Sequence, residues 1–286
     1  MAIKFNEVSF FYEKVKKNEI VPAAISDINL TINDTDEFFT IVGHTGSGKS
    51  TLIQHINGLI FSTKGEVLVN GPLLSKKNKN LKLKPIRQQV GFVFQFPEYQ
   101  LFEETVLKDI LYGPKNFGLS EEETLKRVKE LSKQLNITDI LGKSPFNLSG
   151  GQMRKVAIAG ILAYNPDVLL LDEPTRGLDP KGAKEIMDFF KKLQTEQHNS
   201  VIMITHDMDL VYEYATRVIV MNEGKIVFDG SKEELFRNEY HKYHLEKPTI
   251  LKTIDYINEK TKRNISYQNY NLTDLLKSLK DGDFNE

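Results

Sequence analysis

The stretch Gly43-His44-Thr45-Gly46-Ser47-Gly48-Lys49-Ser50-Thr51 constrains this chain more than any other. It follows an apolar, largely β-branched and aromatic run, Phe38-Phe39-Thr40-Ile41-Val42, and leads into Leu52-Ile53-Gln54-His55-Ile56, which reads as a helix. A Gly-x-x-x-x-Gly-Lys-Ser loop between a strand and a helix is a phosphate cradle. Its glycines let the backbone wrap so that successive N–H groups face one anion, and the helix adds its positive N-terminal end. Lys49 supplies a point charge for the β- and γ-phosphates, and the Ser50 hydroxyl is placed to ligate Mg²⁺. The stretch implies a nucleoside triphosphate as ligand.

With 286 residues the chain can bury a sizeable core, as one large domain or one plus a small appendage. A net charge of −1 sets up no global field toward nucleic acid or an anionic membrane. The absence of cysteine excludes disulfides and thiolate metal sites. No apolar run approaches the ~20 residues that span a bilayer, and the first residues lack a long apolar secretory segment. A soluble intracellular protein is expected, able to dock on something embedded in a membrane.

Alternation of apolar and polar residues over 3–12 and again over 25–32 predicts an antiparallel sheet ahead of the phosphate loop, joined by a polar turn over 14–19. Tyr12 ends the first strand, where its ring fits either a base-stacking face or an ordinary turn. Gly65 to Gly71 reads as a further strand, and the lysines of Ser75–Asn80 as a solvated loop. Val90–Phe94 is apolar and ends in Gln95. From about 96 to 164 the pattern turns helical, with a capping box at Ser120 and Glu123 and an apolar stripe Leu125, Val128, Leu131, Leu135. Val168–Leu171 and Val201–Ile204 are continuous apolar runs, the mark of parallel strands covered on both faces. Arg217–Asp229 reads as a hairpin turning at Asn222-Glu223-Gly224. Beyond about 235, Ile250, Leu251, Ile254 and Ile257 lie on one helical face. Leu272, Leu275, Leu276 and Leu279 lie on another behind an Asn271 cap, so a small two-helix add-on packs on the core or on a partner.

Open α/β sheets bind ligands beyond the carboxyl ends of their strands. Four such ends carry Gly43–Lys49, Gln95, Asp172-Glu173 and His206. Asp172 after a buried run fits a carboxylate holding Mg²⁺, and Glu173 beside it fits a base acting on water. His206 could hold the γ-phosphate and that water, and Gln95 could complete the Mg²⁺ or water shell. Leu148-Ser149-Gly150-Gly151-Gln152 makes a second backbone anion nest, with Ser149 as helix cap. One triphosphate needs only one cradle, so the second nest implies another job.

These segments, in order from about residue 3 to 235, resemble the ATP-binding-cassette (ABC) ATPases: Gly43–Thr51, Gln95, Leu148–Gln152, Val168–Glu173, Gly177-Leu178-Asp179 and His206. The resemblance implies an α/β phosphate-loop core with a mixed, mainly parallel sheet, an N-terminal antiparallel β subdomain and a helical subdomain near 96–164. It divides the chain into an ATPase domain, 1–235, and a helical extension for dimerisation or interaction, 236–286. It implies ATP with Mg²⁺, two ATPases closing head to tail, Ser149, Gly150 and Gly151 as contacts to the partner's nucleotide, Asp179 between the two sites, and Tyr12 on the base. Phe94–Val106, the run from Ser149 to Gly160 and the tail are similar to the energy-coupling factor (ECF) transporter ATPases, especially the second of their two types. That group implies uptake of vitamins and related micronutrients at the cytoplasmic face of the cell membrane. The implied partners are a second ATPase in a heterodimer or homodimer, a transmembrane coupling protein and a small substrate-binding membrane subunit. Arg176 departs from the family, where Ala or Ser is usual between Thr175 and Gly177.

A soluble ABC ATPase of DNA or ribosomes fits less well, because the chain lacks long heptads between Lys49 and Ser149, lacks a second cassette and is near neutral. A nucleotide sensor without hydrolysis is disfavoured by Glu173, His206 and Ser149–Gly151. An importer of metal ions or another solute is the nearest alternative, and no nucleic-acid partner is expected.

Overall fold

Strands and helices follow the apolar patterning closely. The computed structural model describes residues 2–13, 21–33, 37–75, 77, 78, 80–262, 265 and 272–281. The turn over 14–19, parts of the 75–80 lysine run, the Asn271 cap and the Leu272 side chain lie outside the described residues. In chain order, β1 (Ile3–Phe10), β2 (Ile25–Ile32) and β3 (Phe38–Val42) precede α1 (Lys49–Ile56). Then come β4 (Lys64–Val69), α2 (Leu83–Gln89), β5 (Val90–Val93), α3 (Val106–Phe117), α4 (Glu121–Gln134) and α5 (Gly150–Leu162). The core closes with β6 (Val168–Asp172), α6 (Pro180–Gln197), β7 (Ser200–Ile204), α7 (Met208–Tyr214), β8 (Arg217–Asn222) and β9 (Lys225–Ser231).

Two sheets result. The small one is antiparallel in the order β2-β1-β4, and the large one runs β5-β6-β7-β3-β8-β9, parallel except for β9. Alternate side chains of the large sheet feed different cores. Phe38, Leu169, Leu171, Val201 and Met203 pack with α5 and α6, while Phe39, Ile41, Leu170, Ile202 and Ile204 pack with α1 and the small sheet. The β8–β9 turn places Glu223 at φ 47° and Gly224 at φ 75°, both left-handed, as a tight hairpin requires.

Of the expected stripe along α4, Val128, Leu131 and Leu135 are buried and Leu125 is exposed, Thr124 taking its place on the covered face. The reason is phase: Leu125 stands one residue C-terminal of the face that Thr124, Val128 and Leu131 share. Ser120 caps this helix by accepting from the Glu123 N–H.

The tail closes on the chain's own core. Leu251 and Ile254 of the helix Thr249–Thr261, with Ile265 and Leu275, join Val42, Val218, Val220 and Val211 in one buried cluster. Ile250, Ile257 and Leu279 lie at its margin, and Leu276 faces solvent.

Candidate functional site

Because β3 lies between β7 and β8, Val42 delivers the glycine-rich loop to the middle of the sheet's carboxyl edge. The loop is tight. Gly43 has φ 140° and a Cβ there would stand 2.1 Å from Met221 O; Gly48 has φ 99° and its Cβ would stand 2.5 Å from Ala24 O. Neither position tolerates a side chain. The hairpin turn braces the loop from below, Gly224 N–H donating to Ser47 O (3.1 Å) and Ser26 N–H to Gly224 O (2.8 Å). His44 bridges Thr45 O (2.7 Å) and Asn222 Oδ1 (2.9 Å).

Lys49 folds back over the loop, donating to Gly43 O (2.7 Å), His44 O (2.8 Å) and Ser47 Oγ (3.4 Å). Burial lowers its pKa, and the nearby Glu173 and Asp172 charges pull it back up. No side chain caps the N-terminus of α1, so its first N–H groups are left for an external acceptor. That is what a bound phosphate provides.

The neighbouring strands bring the carboxylates. Asp172 ends β6 and accepts a hydrogen bond from the Ser50 hydroxyl; burial raises its pKa, opposed by that bond. An aspartate and a hydroxyl in mutual contact are hard oxygen donors that suit Mg²⁺. Among the described residues no cluster of His, Cys, Asp and Glu could hold a metal by itself, so triphosphate oxygens and water would complete the shell. Glu173 adopts φ 51°, left-handed for a non-glycine residue, with its N–H donating to Ile204 O (3.0 Å). Its Oε1 lies 2.8 Å from His206 Nδ1.

A cleft of about 400 Å³ brings Tyr12, Lys49, Ser50, Gln95, Asp172 and Glu173 together, with Thr45, Gly46, Gly48 and Thr51 on its loop side. Tyr12 stands at its rim, the phenol oxygen 2.9 Å from Thr51 Oγ1 and the ring edge-on to Phe10 at 4.9 Å. Gly43, His44 and His206 line an adjoining hollow against the tail. The second nest stands elsewhere. Ser149 caps α5 with both halves of a capping box, accepting from Gln152 N–H and donating its own N–H to Gln152 Oε1. Ser149, Gly150 and Gln152 are exposed, and Gly151 is half-buried. Asp179, also exposed, caps α6 through Gly182 N–H (3.2 Å).

Sequence reasoning assigned no role to two residues that support this site. Arg154 is buried beneath the Gln95 and Glu173 segments, and its only sequence signal is a charge inside an apolar helix. His55 stands on the buried face of α1 itself, Nδ1 donating to Thr51 O one turn back (2.7 Å) and the ring edge-on to Phe5 and Phe10. Burial pushes its pKa down to about 4.

The family model described as "ABC transporter" matches residues 25–176. The energy-coupling factor transporter ATP-binding protein EcfA2 of Enterococcus faecalis is 52% identical over 238 residues, 83% of this chain and 81% of that protein. Its namesake from Ligilactobacillus salivarius is 45% identical over 292 residues, covering 100% of both. Among solved structures, cbiO1 from Clostridium perfringens, described as part of the ABC transporter complex cbiONQ, superposes with a TM-score of 0.74 at 35% identity, covering 90% of this chain and 94% of that one. A dimeric post-hydrolysis state of the ATP-binding cassette MJ0796, bound to ADP and Pi, gives 0.70 at 32% identity over 80% and 98% of the two chains.

Proposed function

This chain belongs to the ABC transporter ATPases, and within them to the energy-coupling factor transporter ATP-binding proteins, and from that membership we propose how its site works and what it serves. The chain binds ATP and couples its hydrolysis to transport; the proposal is that the cargo is a vitamin or related micronutrient. The observation that carries the catalytic reading is the convergence of Lys49, Asp172 and Glu173 on one cleft, with Ser149-Gly150-Gly151 opening to solvent outside it.

In this reading Glu173 takes a proton from the attacking water as its oxygen bonds the γ-phosphorus and the bond to the ADP oxygen breaks. His206 fixes the carboxylate, Lys49 and the loop N–H groups hold the phosphates, and Tyr12 takes the base. Ser50, Asp172 and Gln95 would hold Mg²⁺, which when bound neutralises phosphate charge. Ser149, Gly150, Gly151 and Gln152 face the nucleotide of a second ATPase, with Asp179 between the two sites. That explains a nest no ligand of this chain needs.

The pair, a heterodimer or a homodimer, works at the cytoplasmic face of the membrane with a transmembrane coupling protein and a substrate-binding subunit. Supporting this are three aromatic side chains beside Gln95, Phe96, Tyr99 and Phe102, all exposed, Tyr99 by 83%. Exposed aromatic patches mark partner sites. Leu101, which lies between Tyr99 and Phe102 in the chain, packs partly into the main core, so Tyr99 is the sounder residue to alter. Residues 1–235 form the ATPase unit, and the extension 236–286 offers a partner its outward surface, including Tyr256, since its inner faces are already covered.

Affinity purification of the chain from host membrane, with identification of what accompanies it, tests the assembly. A second ATPase and two membrane subunits are expected, with Tyr99→Asp losing the membrane subunits while retaining ATP binding. Recovery of the same subunits with Tyr99→Asp rules this surface out.

A further inference from the structure

Arg154 is unusual among the charged side chains: it is 3% exposed, on the helix that Ser149 caps, yet its guanidinium is fully engaged. Nε donates to Glu98 Oε2 (3.3 Å), and Nη2 to Glu98 Oε1 (3.1 Å), Glu98 Oε2 (3.3 Å) and Gln95 O (3.5 Å). Nη1 donates to Pro174 O (3.4 Å) and Arg176 O (2.5 Å). One planar fork therefore spans three segments: the α5 nest helix, the turn Gln95–Gln100 bearing the aromatic patch, and the turn 174–176 directly after Glu173. Glu98 is itself largely buried, pointing inward from the short helix Pro97–Gln100 while Tyr99 beside it points outward. Arg176 adds a second tie, its guanidinium lying 5.7 Å from the centre of the Phe96 ring while its side lines the nucleotide cleft.

We propose that Arg154 is a positioning residue that makes the aromatic turn 95–100 and the turn after Glu173 move as one body, so that nucleotide occupancy is felt at Tyr99. The physical argument is geometric. A buried guanidinium that satisfies a carboxylate and three carbonyls has no second arrangement of equal quality within the fold. Shifting either turn alone would leave a buried charge or carbonyl unpaired, at a large cost. Rigid connection of two sites through one shared, fully satisfied group is what lets a change at one bias the other. Lysine cannot replace it, because one ammonium nitrogen cannot reach Glu98 and the carbonyls on both sides of it.

The inference rests on reading the aromatic turn as the docking surface, yet its test needs no partner. The chain contains no tryptophan, so Tyr99→Trp gives the full-length protein a single emitter at the exposed tip of the turn. Titration with Mg²⁺ and the non-hydrolysable analogue AMP-PNP should shift its emission. Adding Glu98→Gln or Arg154→Lys should remove most of that shift while the dissociation constant, followed with a fluorescent nucleotide, stays close to the parent's. The thermal midpoint should fall, because each variant leaves a buried group without its partner. An unaltered shift in Arg154→Lys overturns the proposal, because charge alone would then suffice. So does a parent protein without a shift. Nucleotide affinity lost along with the shift in both variants also overturns it, leaving Arg154 a purely structural role. Failure of the docking reading would instead appear as membrane subunits still recovered with Tyr99→Asp.

Discussion

The Glu173 carboxylate and the His206 imidazole meet at 2.8 Å across the ends of two adjacent strands, β6 and β7. The Glu173 side chain is 12% exposed and that of His206 73%, so the carboxylate is held from the solvent side by a ring that solvent can reach. The left-handed backbone at Glu173 turns this side chain away from the direction Asp172 takes toward Ser50. Two neighbouring carboxylates thus acquire separate surroundings, one against the loop hydroxyl and one against a histidine.

Gly48→Ala should cripple nucleotide binding. Its φ of 99° is open to glycine and strained for alanine, and the added Cβ would stand 2.5 Å from a backbone carbonyl oxygen, which cannot swing aside. Strain of this kind costs about 1–3 kcal/mol, so ATP affinity should fall by roughly tenfold or more. Equilibrium titration of the variant checks it; affinity equal to wild type would mean the loop is looser than described.

His55 should make the protein lose stability on mild acidification. Its pKa is depressed to about 4 in the fold from an ordinary 6.5, because Nε2 is buried without a partner and the ring lies between Phe5 and Phe10. A depressed folded value means that the unfolded chain binds the proton first. Its contribution is intact above pH about 6.5 and is lost as pH falls toward about 4, amounting to roughly 3 kcal/mol in full. Denaturant melts of wild type and His55→Leu at several pH values across that window test this. The variant's stability should depend less steeply on pH, and parallel curves would contradict the assignment.

Leu251→Ala should destabilise the whole chain. Leu251 is fully buried in the cluster that covers Val42, Val218 and Val220, and a leucine-to-alanine change in such a core costs about 2–5 kcal/mol. Truncation before Leu251 should lower the melting midpoint further by uncovering that strand face. A truncated monomer that melts at the wild-type temperature would show the extension to be dispensable to the fold.

The amphipathic tail illustrates how far pattern reaches. Ile250, Leu251, Ile254 and Ile257 announce that something covers them, but periodicity carries no address, and the answer, the outer face of β3 and β8, depends on tertiary packing. The strand ends carrying Gly43, Gln95, Asp172 and His206 were legible because continuous apolar runs stop where they do. Which strands are neighbours was not, since the order β5-β6-β7-β3 is set by crossovers. Bulges at Glu7 and Asp27, each near φ 50°, left no trace in an alternating pattern. Arg154 and Glu98 are 56 residues apart, and nothing local links them. After Gln95, Phe96, Tyr99 and Phe102 are exposed while Leu101 turns partly inward, a difference that apolarity along the chain does not encode.

The central claim is that Glu173 serves hydrolysis and not nucleotide binding, and ATP turnover measured beside ATP binding for Glu173→Gln in the assembled complex tests it most directly. Glutamine keeps the size and a hydrogen bond to His206 but accepts no proton at that site. Turnover should fall by about 10²–10⁴, the usual worth of a general base, with ATP affinity retained. Near-normal turnover in a folded, ATP-binding Glu173→Gln complex would place the base elsewhere and contradict the account.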